Sequence, residues 1–128
     1  MHIARFAAGP DGRSCFSDVE IHHPITIHAA EDNELAASVA LESPAVQLII
    51  LPAGLDVGLH PVPRRQLVFV LEGQLAVGTP DGEIRHFAKG DVFLADDADT
   101  DGHTTQTVRG PVHLVYVPLQ QGDTFSSG

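Results

Sequence analysis

Two histidines carry the most chemical promise in this chain, His60 and His103. Imidazole titrates nearest neutral pH, so it can act as a general base, a hydrogen-bond partner or a metal ligand. His60 lies in the stretch Gly54-Leu55-Asp56-Val57-Gly58-Leu59-His60-Pro61-Val62-Pro63-Arg64-Arg65-Gln66. On an extended chain, side chains two apart share a face. Positions 60, 62, 64 and 66 therefore point nominally one way, toward whatever cavity a sheet encloses, and Pro61 and Pro63 favour the extended backbone this requires. By that parity Arg64 faces the cavity, where its guanidinium fork could hold a carboxylate, and Arg65 does not. The competing reading places both arginines at a barrel rim in solvent-exposed ion pairs. Asp96, Asp97, Asp99 and Asp101 form a dense acidic loop that could bind a cation or guard a barrel mouth, although such loops are usually solvated. His113 reads as a sheet histidine, and His22, His23, His28 and His86 read as surface residues. Cys15 has no basic surroundings that would lower its pKa, and no Gly-x-Ser-x-Gly supports a serine triad.

The elements that must position these groups are short apolar runs punctuated by Gly and Pro, the pattern of an all-β sandwich or barrel. The runs are 46–51, 66–72, 74–77, 83–87, 91–95, 104–108 and 112–117. Thr79-Pro80-Asp81-Gly82 reads as a tight turn, since Pro presets φ and Asp-Gly tolerates positive φ. Residues 31–41 have a competing helical pattern, with Leu35 and Val39 four apart, but Ser43-Pro44 stops it early and strand is the preferred reading. The 66–71 run is apolar at nearly every position, so both its faces should be buried. One face lines the barrel, at Val68 and Val70, and the other meets a second sheet or a second subunit. A homodimer is the expected assembly.

The segment Gly54, His60, Gln66, Gly73 resembles the first motif of the cupin superfamily, in which a Gly, two His, a Glu and a Gly recur at this spacing. Val62 stands where that motif has its second His, and Gln66 where it has its Glu. The second motif resembles Gly90-Asp91-Val92-Phe93-Leu94 onward to Gly102-His103. Strict spacing puts Asp101 at the ligand position, and a two-residue insertion, the preferred alignment, makes His103 the equivalent. The stretch as a whole resembles small single-domain bacterial cupins without a settled role. That resemblance implies an all-β, cupin-type double-stranded β-helix, a jelly-roll barrel, with a core at about residues 44–118. Outside that core, N-terminal strands are expected in 1–43, and the polar tail at 121–128 is expected to fray. The resemblance also implies a metal held by inward ligands. Here the available set is His60, Gln66, Asp101 and His103, of which the two histidines and Asp101 would mimic an arrangement that suits iron(II). Zinc, nickel and manganese are the other divalent ions considered. Losing even an outer partner costs about 10–100-fold in metal affinity, and replacing a His by Val and a Glu by Gln should cost more.

With 128 residues the chain is one domain, long enough to bury a core without staples. Apolar residues are 43% and charged residues 19%, an ordinary globular composition. Lys+Arg is 7 and Asp+Glu is 17, a net charge of −10, which opposes nucleic acid and anionic lipid as partners. No apolar stretch nears the roughly 20 residues of a membrane span, and the first residues lack a secretion signal, so a cytoplasmic protein is expected. The favoured function is a barrel that binds a small molecule, with a degenerate or absent metal site. Its cavity would be lined by Val62, Val68 and Val70, with His60, Arg64, Gln66 and His103 as polar contacts. The alternative is an enzyme, a metal-dependent dioxygenase, isomerase or cyclase, with His60 and His103 as the catalytic candidates and Gln66 or Asp101 assisting. A barrel merely filled with side chains is the third possibility.

Overall fold

The structure, a computed structural model, describes residues 1–30, 32–120 and 126–127. Among them are eleven strands and no helix: β1 (His2–Ala8), β2 (Ser14–Glu20), β3 (Ile25–His28), β4 (Glu34–Ala37), β5 (Gln47–Leu51), β6 (Asp56–His60), β7 (Gln66–Gly78), β8 (Ile84–Ala88), β9 (Val92–Asp96), β10 (His103–Pro118) and β11 (Ser126–Ser127). Within the 31–41 segment the strand reading holds for Glu34–Ala37, and no described residue of it is helical. No helix is long and apolar enough to cross a membrane among the described residues. Of the tail expected to fray, Ser126 and Ser127 pair with β2, and the remainder of 121–128 lies outside the described residues.

Two long strands build the barrel. The first half of β7 pairs with β9, and its second half pairs with β8. β10 lies antiparallel along all of β7, and its own halves pair with β6 and then β5. Each long strand thus passes from one sheet to the other. One sheet runs β5, β10, β7, β9, β1, β2, with β1 and β9 parallel. The other holds β6, β10, β7 and β8. The sequence breakers Gly73 and Gly110-Pro111 do not end these strands. They turn them at a shared corner, where the β7–β10 register shifts and the Gly110–Pro111 bond is cis.

Gly73 has φ +82, and a Cβ there would stand 2.7 Å from the carbonyl oxygens of both Arg109 and Pro111. Only glycine lets the two strands cross this closely. The corner also inverts parity. Gln66, Val68 and Val70 face inward before it, and Leu75 and Val77 after it; on β10, His103, Thr105 and Thr107 give way to Val112, Leu114 and Tyr116. Such a switch is what an unpaired residue in a ladder produces.

The interior is packed by Phe6, Val70, Leu75, Phe87, Phe93, Val112 and Leu114. A second cluster covers the outer face of the β7–β9 sheet: Ile3, Val19, Leu67, Leu94 and Leu119, with Ile21, Leu41 and Phe69 against it. Both faces of residues 66–70 are therefore covered as their composition requires, the outer one by residues of the same chain, while Leu71 beside the corner is 50% exposed. No second subunit is needed there.

Candidate functional site

His60 ends β6, and His103 begins β10 directly opposite it in the register. The approach depends on Gly102, whose φ is +98 and whose missing Cβ would collide with the His60 carbonyl group and the Pro61 nitrogen. The two imidazoles stand with centroids 4.5 Å apart, and His103 also packs on Phe6 at 4.4 Å. They open into a cavity of about 180 Å³. Its walls are mostly apolar, from Phe6, Val62, Val68, Leu75, Val77 and Phe93, with Gln66, Thr105 and Tyr116 as further polar groups. Burial pushes the Tyr116 phenol pKa up, so it stays a neutral hydroxyl.

Asp97 organises this mouth. It is fully buried, and one carboxylate oxygen accepts from His103 Nδ1 at 2.7 Å while the other accepts the Val62 backbone N–H at 2.9 Å. Burial alone would raise the carboxyl pKa. The hydrogen bonds from His103 and Val62, with the attraction of the imidazole charge and a smaller contribution from Ser14, outweigh it and hold Asp97 below the usual carboxylate range. The loop that presents Asp97 is closed on itself: the Thr100 N–H and hydroxyl both donate to the Asp97 carbonyl, at 3.0 and 2.8 Å. The Gly102 N–H in turn donates to the Thr100 hydroxyl oxygen at 2.9 Å.

These contacts set the tautomers. A carboxylate can only accept, so His103 Nδ1 carries the proton and Nε2 is left as the basic nitrogen. His60 Nδ1 lies 2.8 Å from the Gly58 carbonyl, which likewise can only accept. In the neutral form of either ring the free lone pair is therefore on Nε2, and both rings line the apolar hollow.

Set against the sequence, the structure unites part of the expected set. His60, Val62, Gln66, Val68 and His103 line the cavity, and Val70 packs deeper in the same interior. Arg64 does not join them. Residues 61–65 are not strand, so the two-residue parity lapses after His60; Arg64 is exposed in a rim groove with Arg65, Asp96 and Asp99. Arg65 approaches Asp96 at 3.5 Å, and Asp96 also accepts from Arg5 at 2.8 Å. Of the rim reading, the structure thus has an ion pair for Arg65, part-buried, and an exposed position for Arg64. Asp101 is also misplaced: it is exposed on the loop before β10 and absent from the cavity wall. His113, His22, His23, His28 and His86 are all exposed.

Asp97 went unrecognised in the acidic run, where the solvated reading fails most fully for it and in part for the ion-paired Asp96. One signal could have found it. Phe93 and Ala95 face inward on β9, and Asp97 continues their odd parity one step beyond the strand.

The residues do not fit a resident divalent ion of the kind the cupin resemblance implies. The cavity offers two imidazoles and the neutral amide of Gln66, and no group of three His, Cys, Asp or Glu able to hold a metal exists among the described residues. A structural or catalytic site of this type ordinarily takes at least three protein ligands. The one carboxylate nearby, Asp97, is already committed to His103 and the Val62 amide.

Two sheets sharing the bent strands β7 and β10, with the mouth formed where β6 meets β10, define the class: an all-β protein of the cupin type, a double-stranded β-helix. No protein-family model matches the chain, and no curated protein matches it. Among solved structures it is similar to an RmlC-like cupin from Shewanella frigidimarina, at 17% identity over 82% of this chain and 87% of that one, with a TM-score of 0.48. It is also similar to the cupin domain of Cnp3 from Schizosaccharomyces pombe, at 13% identity over 94% and 83%, TM-score 0.46. A conserved protein with a double-stranded β-helix domain from Klebsiella pneumoniae is similar at 17% identity over 86% and 91%, TM-score 0.42.

Proposed function

We propose that the barrel binds a small, mainly apolar molecule that donates an O–H or N–H group to the His60 and His103 imidazoles. The observation that carries this reading is the pair of rings at 4.5 Å with both Nδ1 positions engaged elsewhere. With both Nδ1 atoms engaged, each ring turns its other nitrogen to a mainly apolar cavity, where a hydrogen bond from a donor ligand would distinguish it from a wholly apolar one. A hollow of about 180 Å³ is close to the size that accepts a benzene ring, which limits the ligand to a small one. Benzyl alcohol and toluene are suitable probes, equal in shape and differing in one donor. Nitrogen-15 imidazole spectra should show benzyl alcohol shifting His60 and His103, and binding it about tenfold more tightly than toluene. His60→Ala should abolish that preference, whereas His86→Ala on the exposed face of β8 should keep it. Equal preference in both variants would place the ligand elsewhere.

The Asp97–His103 pair favours one further reading, a metal-free enzyme of the isomerase or cyclase kind. His103 Nε2 would take a proton from the bound molecule, and Asp97 would hold the ring and stabilise the imidazolium formed. With a turned-over compound in hand, His103→Gln should lose activity while keeping the fold; retained turnover would remove His103 as the base.

A further inference from the structure

The strands β3 and β4 hydrogen-bond only to each other, outside the barrel sheet. Their register places Ile25, Ile27, Leu35 and Ala37 on one face, with Thr26, His28, Glu34 and Ala36 on the other. Ile27 is 47% and Leu35 55% exposed, and Val39 just beyond β4 is 56% exposed. A two-stranded hairpin alone in water is marginal at best and needs a surface to pack on. This arm carries an apolar face, and among the described residues its strands pair with no other element.

A second unpartnered surface lies on β5. Among the described residues that strand pairs only with β10, which leaves its other edge open. Ile49 and Leu51 turn inward against the core, while Leu48 and Ile50 turn outward at 78% and 66% exposure, beside Val46 at 64%. From Ser43 through Leu55 there is no charged residue, in a chain of net charge −10. Proteins ordinarily blunt an open edge with Lys, Pro or a bulge, or cover it. None of the first three devices occurs on β5 itself. This patch also continues the outer sheet face that Leu41, Leu119 and Ile21 cover farther along, so the cover simply stops short of β5.

We propose that the β3–β4 arm of one copy packs on the β5 face of a second copy, and reciprocally, in a two-fold dimer. The arm and the patch share one chemistry, and each chain supplies one of both, so a two-fold axis closes the assembly and leaves neither exposed. Each copy brings seven exposed large apolar side chains, four around the arm (Ile25, Ile27, Leu35 and Val39), two on β5 and Val46 just before it, which is a sufficient centre for an interface of about 20–30 residues a side. A partner bound through charge is disfavoured by the uncharged patch. Because Leu51, on the inward face of β5, lines the ligand cavity, the same contact would also hold one cavity wall in place.

Sedimentation equilibrium of the full chain tests this, and the expected result is a dimer. Leu48→Glu and Ile27→Glu should each weaken dimerisation by at least about 100-fold, a loss typical of central interface residues. Imidazole spectra identical to wild type would show that the barrel is intact. Mixing Ile27→Lys with Leu48→Glu should restore association between unlike copies. In a Cys15→Ser background, Ile27→Cys and Leu48→Cys on separate chains should form a disulfide across the dimer. A wild-type monomer overturns the proposal. So does a dimer indifferent to both Glu variants, or a double-cysteine chain that closes only on itself, which would place the arm on its own barrel.

Discussion

β10 passes through two environments, and the contrast explains where this barrel can do chemistry. Its second half brings Val112, Leu114 and Tyr116 to the interior, among Val70, Leu75 and Phe87. Stability there comes from apolar burial and close packing, and a change of volume is the only disturbance that matters. Its first half brings in His103, buried to 6% exposure. There a polar ring is tolerated only because Asp97 satisfies Nδ1, and Asp97 in turn is tolerated because Val62 and His103 satisfy it. One half is held by shape, the other by a chain of hydrogen-bond partners in which each member depends on the next. A ligand-binding function belongs to the second kind, since only it leaves oriented polar atoms facing a hollow.

The strongest way to separate the halves is at Gly102, where the polar mouth depends on close backbone contact. Gly102→Ala places a methyl into the His60 carbonyl at a positive φ, and urea unfolding should show a loss of about 4 kcal/mol or more. Any folded remainder should have separated imidazoles and no preference for benzyl alcohol over toluene. Leu114→Ala probes the apolar half. Leu114 is 2% exposed, so about 3 kcal/mol should be lost through the enlarged cavity. The His60 and His103 tautomers should be unchanged, because no hydrogen bond of the mouth involves that side chain. A shift in either ring would show that the two halves are coupled more tightly than their contacts suggest.

The same division governs what the sequence made legible. Strand parity placed Gln66, Val68 and His103 in the cavity wall because each lies within a regular ladder, whereas Val62 reaches it outside any strand, its N–H bonded to Asp97. Parity misplaced Arg64, because the chain leaves the strand between Pro61 and Arg65, and a two-residue rule has no meaning there. Asp101 failed for a related reason: its parity with His103 crosses Gly102, whose left-handed backbone ends the alternation. Periodicity also could not show that Gly73 and Gly110 bend strands instead of ending them, since a breaker has the same local signature in either role. Loop carboxylates are harder still. Asp96, Asp97, Asp99 and Asp101 differ little in local sequence, and what singles out Asp97 is a histidine and an amide supplied from distant parts of the chain. The arm and the β5 face were legible only as strands; that they lack partners is a property of tertiary structure.

The smallest and most specific effect is expected from Asp97→Asn. The amide can still accept the Val62 N–H, so the fold should survive, with a loss of about 2 kcal/mol near pH 7 for a charge-assisted hydrogen bond. Its NH2 group, however, would face His103 Nδ1 as a donor. His103 would then be driven to carry its proton on Nε2, turning one of the two acceptors in the cavity into a donor. Nitrogen-15 spectra should show that exchange at His103 and not at His60, whose partner is the Gly58 carbonyl, and the preference for benzyl alcohol should fall. The pH dependence gives an independent check. Because the folded Asp97 carboxyl lies below its unfolded value, its stabilisation is complete above the unfolded pKa. It is lost as pH falls from about 4 through the folded value. The stability difference between wild type and Asp97→Asn should therefore be constant from about pH 5 to 6 and shrink below pH 4. A difference that stays constant down to the acid transition would mean that the carboxylate charge contributes nothing to the mouth, leaving only its shape to hold His103.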